Sequence, residues 1–204
     1  MKTLVSKCTA VLAALMFAAS AYADIGSATV NDVTLDARPA DAFAFASGWN
    51  PHAGPMGDTS GFGTTFDPFG SGPWTLLDKY DHGDGFSNSG QLHFTFSETT
   101  GTMGLWSVKN TSATMMMTLD LVFAIHAGNQ GGAWLFDNET IMPGQTLDGT
   151  WQIQWENNGG NHPDFSNLTL FGRDIVLTPV PEPATYGMLL LGLGALALRR
   201  RGKS

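Results

Sequence analysis

The chain has 204 residues, of which only 14% are charged, with 10 Lys and Arg against 18 Asp and Glu and a single Cys. Soluble domains carry roughly 25% charged residues, so Gly, Ser, Thr and Asn supply much of this surface. A formal net charge of -8 argues against a nucleic-acid partner, which needs a basic face, and one Cys excludes a disulfide framework and a multi-thiolate metal site.

Residues 1–23 open with Lys2 and Lys7, run through an apolar stretch from Val11 to Ala19 and close on Ala21-Tyr22-Ala23. A basic start, a short apolar run and a small-x-small end are the composition of a secretory signal. The run is too short to span a bilayer. Signal peptidase is expected to cut between Ala23 and Asp24, with Ala21 and Ala23 as the small residues it needs. Cys8 precedes the apolar run, whereas a lipoprotein Cys would follow it. The mature chain is therefore expected to lack thiols.

Residues 24–178 are expected to form one ectodomain. From 24 to 180 there are 17 carboxylates against Arg38, Lys79, Lys109 and Arg173, a net charge of -13. Such a surface repels anionic partners. Strand signals dominate. Leu92-Phe94-Phe96 alternate with His93-Thr95-Ser97, and Trp151-Ile153-Trp155 alternate with Gln152-Gln154-Glu156. Leu119, Leu121, Phe123 and Ile125 form a third such row, although Val122 and Ala124 make that strand apolar on both faces. Period 2 marks half-buried strands. Further strands are expected at about 28–35, 102–109, 132–137 and 167–177. Asn129-Gln130-Gly131-Gly132, Pro143-Gly144, Asn157 to Gly160 and Asn161-His162-Pro163 supply turns. Seven or eight short strands at this spacing predict an all-β fold, an antiparallel β-sandwich or jelly roll.

Gly104-Leu105-Trp106 and Gly149-Thr150-Trp151 share a shape; they read either as an internal repeat or as Gly ending a turn and Trp entering a core strand. Residues 46–74, rich in Gly, Pro, Ser, Asp and Phe, read as a long surface loop.

Motifs for chemistry are sparse. There is no Gly-x-Ser-x-Gly and no phosphate- or dinucleotide-binding Gly motif, and the five His residues are scattered. Asp78, Asp81 and Asp84 lie in a Gly-containing acidic stretch. They could hold Ca²⁺, which wants clustered oxygens, or form a solvated turn; no other cofactor is indicated. Trp106, Trp151 and Trp155 sit in strand patterns, which leaves Trp49, Trp74 and Trp134 as candidates for exposure and for stacking on sugars. Asn110-Thr111-Ser112, Asn138-Glu139-Thr140 and Asn167-Leu168-Thr169 match the N-glycosylation acceptor pattern.

The tail, 179–204, is the most specific feature. Val180-Pro181-Glu182-Pro183 leads into an apolar run from Tyr186 to Leu198, followed by Arg199-Arg200-Arg201-Gly202-Lys203-Ser204. The prolines forbid a helix through the motif. Thirteen apolar residues make a helix about 20 Å long, which snorkelling arginines or a locally thinned bilayer would extend across the membrane. The arginines should stay cytoplasmic, leaving everything upstream outside.

Pro181-Glu182-Pro183, the Leu/Gly-rich run and the Arg cluster together resemble the PEP-CTERM sorting signal. The resemblance covers about residues 178–204. It implies export in a Gram-negative bacterium and recognition by the membrane-embedded, Cys-dependent exosortase, which cleaves at or near the motif. It also implies association with exopolysaccharide, biofilm and floc. By position, Pro181, Glu182 and Pro183 would be the recognition element, 186–198 the transmembrane helix, and Arg199, Arg200 and Arg201 the membrane stop. The expected partners are signal peptidase, an exosortase-like enzyme, extracellular polysaccharide and, transiently, the inner membrane. The expected function is a non-enzymatic surface or matrix protein. The alternatives are a carbohydrate-binding module and, after it, a secreted hydrolase.

Overall fold

The computed structural model describes residues 28–157, 159–180 and 187–193. Ten strands run in chain order: β1 Thr34–Leu35, β2 Arg38–Pro39, β3 Ala42–Ser47, β4 Thr75–Asp81, β5 Leu92–Thr100, β6 Met103–Asn110, β7 Met115–Ala127, β8 Gln130–Ile141, β9 Thr146–Gln152 and β10 Phe165–Pro179. Every pairing is antiparallel. The strands form a five-stranded sheet in the order β3-β8-β7-β10-β4, a three-stranded sheet β5-β6-β9, and the small ribbon β1-β2.

One apolar core takes side chains from both larger sheets. Phe94, Trp106, Val108, Leu147 and Trp151 come from the three-stranded sheet, and Leu121, Phe123, Ile125, Trp134, Phe136, Leu168 and Leu170 from the five-stranded one. A second cluster covers the opposite face of the five-stranded sheet. There, Ala44, Val122, Ala124, Ala133, Leu135 and Phe171 meet Trp49, Phe62 and Phe66. The five-stranded sheet is thus buried on both sides, which explains why β7 reads as a nearly continuous apolar run.

This second core corrects the reading of 46–74 as a surface loop. The segment folds over the sheet around Phe62, whose ring lies 5.1–5.6 Å from those of Trp49, Phe66, Trp74 and Phe171. Two glycines admit Trp49. Its indole lies against Gly61 on one side and Gly131 on the other, where a Cβ would fall inside the ring's van der Waals envelope.

The strands at 102–109, 132–137 and 167–177 are present as β6, β8 and β10, the last two longer than expected. The one expected at 28–35 reduces to a 3₁₀ turn at Val30–Asp32 and the two-residue β1. β3 and β4 have no counterpart among the expected strands. The β7–β8 turn falls at Gly128-Asn129, both at positive φ (60° and 64°), as a two-residue type I′ hairpin requires. Gly131 and Gly132 lie inside β8. The Gly-x-Trp similarity also has a tertiary meaning: Gly104 pairs with Trp151 and Gly149 with Trp106 across β6 and β9. Each glycine leaves room for the indole of the neighbouring strand.

Candidate functional site

The aromatic candidates come first. Trp49 is 4% exposed and Trp134 fully buried, so neither presents a face to a sugar. Trp49 donates Nε1–H to the Asp58 carbonyl. Trp134 donates to the Thr29 carbonyl at 2.8 Å and stacks near Trp155. Trp74 is half-buried, with the Arg173 guanidinium 4.3 Å from its ring centre. Trp49 and Trp134 serve packing because partners distant in sequence close over them, whereas Trp74 keeps part of its surface exposed.

The structure does not bring the three carboxylates of the acidic stretch together. Asp78 lies within β4 and is buried; its carboxylate accepts from the backbone N–H groups of Lys79, Ser87 and Asn88 and from the Ser87 hydroxyl. That satisfies the charge without a metal. Asp81 pairs with His52 at 3.2 Å, and Asp84 is exposed beyond the strand end. Among the described residues no group of three His, Cys, Asp or Glu could hold a metal ion. Lys79 donates its ammonium to the carbonyls of His52 and Gly54. Burial pulls its pKa below the ordinary lysine value, with Asp81 opposing.

His52 also touches the Thr169 hydroxyl through Nδ1 at 3.3 Å, giving a hydroxyl–imidazole–carboxylate order with Asp81. Thr169 is fully buried. Its oxygen therefore has no approach for a substrate, and the arrangement holds a loop against β10.

A buried ion pair lies under the second core. Arg173 Nε donates to Asp120 at 2.8 Å and its Nη2 to the Phe66 carbonyl at 2.8 Å. Nearby, burial raises the pKa of Glu139, and its ion pair with Arg38 opposes that rise.

The tail leaves from the other end of the five-stranded sheet. β10 pairs with β7 as far as Pro179 opposite Met115, and the Val180 N–H then donates to the Thr114 carbonyl at 2.8 Å. Thr114 is itself fixed: Ser112 Oγ accepts from the N–H groups of Thr114 and Met115. Ser112 N–H in turn donates to Asn110 Oδ1. Asn110, fully buried, donates through Nδ2 to the carbonyls of Met115 and Ile141. One buried amide thus ties β6, β7 and β8 together where the tail leaves, which also removes Asn110 as a glycan acceptor. In the sequence this asparagine stands out only as part of a glycosylation pattern.

Residues 179–203 match the family model of the PEP-CTERM protein-sorting motif. The chain carries a PEP-CTERM sorting signal. The signal indicates an exported surface protein, anchored by its C-terminus in the membrane before processing by exosortase, a membrane enzyme. No curated protein and no solved structure matches the chain. The PEP-CTERM signal begins one residue before the last sheet hydrogen bond, so no linker separates it from the folded body. Pro181, Glu182, Pro183 and Arg199 to Arg201 lie outside the described residues, as do Ala21, Ala23 and Asp24 of the secretory signal. Of the expected transmembrane segment, 187–193 is described; it is helical and exposed. No helix among the described residues is long and apolar enough to cross a membrane.

Proposed function

We propose that this is a non-enzymatic surface or matrix protein, a β-sandwich ectodomain delivered by its PEP-CTERM signal to a structural or adhesive role in exopolysaccharide, biofilm or floc. The observation that carries the reading is the direct continuity of β10 with the sorting signal. A cut near Pro181–Pro183 would release the ectodomain with its cores and the Asn110 clamp intact. Signal peptidase acts at Ala23/Asp24 in this scheme, and extracellular polysaccharide is the final neighbour.

Intact-mass measurement of protein recovered from its native host tests delivery. A species lacking residues 1–23 and the segment after the motif is expected; one still ending at Ser204 refutes processing. Loss of floc or biofilm cohesion on deletion of the gene tests the role. Turnover of polysaccharides or esters by the purified protein would overturn the non-enzymatic reading.

A carbohydrate-binding module is the second reading, favoured by one cavity of about 390 Å³ lined by Ser47, Asn129, Gln130, Asn157, Asn161 and two glycines. The lining carries no charge. Amides and hydroxyls suit neutral sugar hydroxyls. Binding to neutral members of a glycan array, lost in Asn129→Ala, is the expected result of this reading.

A further inference from the structure

β10 outlasts its neighbour. β4 pairs with it only from Asn167 to Gly172, whereas β7 follows it to Pro179. Beyond Gly172, therefore, no strand among the described residues lies on the side of β10 that faces away from β7. Open edges of this kind are normally guarded by charge, proline or a bulge. Both ends of this one are guarded. A register shift between Arg173 and Val176 contains Asp174 at φ 51°, and Pro179 closes the strand. Between them Ile175, Val176, Leu177 and Thr178 carry no charge, and the three apolar side chains are 41%, 56% and 41% exposed.

The hydrogen-bond parity of this stretch is fixed. Donors alternate from side to side along a strand, and the Val180 N–H points at Thr114. The N–H groups of Thr178 and Val176 therefore face β7, and that of Leu177 faces outward. Pro179, which has no donor, stands where the donor would also face outward, so it costs the ladder nothing. The window thus offers an outward backbone donor with apolar side chains around it.

Chain length decides what stands beside it. From Val180 to Gly187, the first described residue of the tail helix, seven residue steps span at most about 25 Å. The enzyme that processes the signal is a membrane enzyme. Pro181–Pro183 lie at most eight residue steps, about 30 Å, from any residue of Ile175–Thr178, so an enzyme that engages the motif comes within that distance of the edge.

We propose that the processing enzyme adds an extended segment of its own to this edge of β10. Recognition then begins in the folded body and continues into Pro181–Pro183. Strand addition draws affinity from main-chain hydrogen bonds, and the rigid end of β10, held by the Asn110 clamp, would set the motif's register against the enzyme. The proposal rests on the reading of the tail as a processed signal.

Two measurements on the full-length chain test it. In the first, processing is timed by mass in cells that contain the enzyme, for Leu177→Pro and for Glu182→Ala. Leu177→Pro removes the outward donor without touching a β7 bond, and processing is expected to slow at least tenfold. Unchanged processing of Leu177→Pro beside a blocked Glu182→Ala overturns the strand addition alone. Unchanged processing of Glu182→Ala overturns the reading of the tail. In the second, hydrogen exchange of the wild-type Leu177 amide is followed with and without catalytically inactive enzyme, which avoids any folding defect of the proline variant. Exchange slowed at least tenfold is expected; an unchanged rate overturns the proposal.

Discussion

Replacing Arg173 by Met tests how the second core is held to the sheet. Arg173 and Asp120 are 3% and 2% exposed and joined at 2.8 Å. The same guanidinium holds the Phe66 carbonyl and lies on Trp74. Met keeps the stem and removes the charge, leaving Asp120 buried with the Asn138 N–H donating to it at 3.1 Å. Breaking a buried pair from one side costs about 3–5 kcal/mol, because the remaining charge is desolvated and uncompensated. At about 2–4 °C per kcal/mol for a domain of this size, Tm should fall by roughly 6–20 °C. Replacing both partners removes the orphan: Arg173→Met with Asp120→Leu should recover most of the loss, since buried pairs exchanged for apolar residues are often neutral or better. The assay is thermal unfolding of the full-length chain in detergent, followed by tryptophan fluorescence. A single variant within about 1 kcal/mol of wild type, or a double variant no better than the single, would refute the reasoning.

Asn110→Ala should cost about 2–4 kcal/mol, because it deletes two donated bonds and leaves the Met115 and Ile141 carbonyls unpaired in a buried site; urea unfolding measures it, and a loss under 1 kcal/mol would contradict the clamp. Trp49→Ala should destabilise by about 3–5 kcal/mol and expose 46–74 to proteolysis; digestion at the wild-type rate would show that the indole does not hold the second core. Burial holds the His126 pKa below its ordinary 6.5. The unfolded chain then binds that proton more tightly, so the stability is present above pH 6.5 and lost as pH falls through the depressed value. His126→Gln should flatten that slope in Tm, and an unaltered slope would clear His126 of the effect. Asp32 and Glu139 act in the opposite sense: burial raises both values, so each adds stability as pH falls toward its ordinary 3.8 or 4.5.

Much of the antiparallel body was legible in the sequence because period 2 reports which side chains share a face. Leu92, Phe94, Leu121, Phe123, Ile125 and Trp151 all enter the main core as that pattern requires. β3 was missed because Ala42, Ala44 and Ala46 weaken the contrast around Phe43 and Phe45. β4 was missed because Asp78, Lys79 and Asp81 look like a solvated turn. Only its tertiary neighbours, the amides of Ser87 and Asn88, turn Asp78 into a buried acceptor.

The sequence alone determined the sorting signal, because a linear motif is read from an extended chain and depends on no distant contact. It also determined the strong negative charge of the body and its β content, which follow from composition and local alternation. The tertiary structure decided what covers each face. Trp49 is buried because Gly61 and Gly131 admit it, and Arg173 is tolerable inside because Asp120, 53 residues away, meets it. The tail leaves a rigid strand end because Asn110 ties three strands beside Thr114. Each of these is a contact between residues far apart in the chain, and periodicity tells which side of a strand is apolar without telling what closes over it.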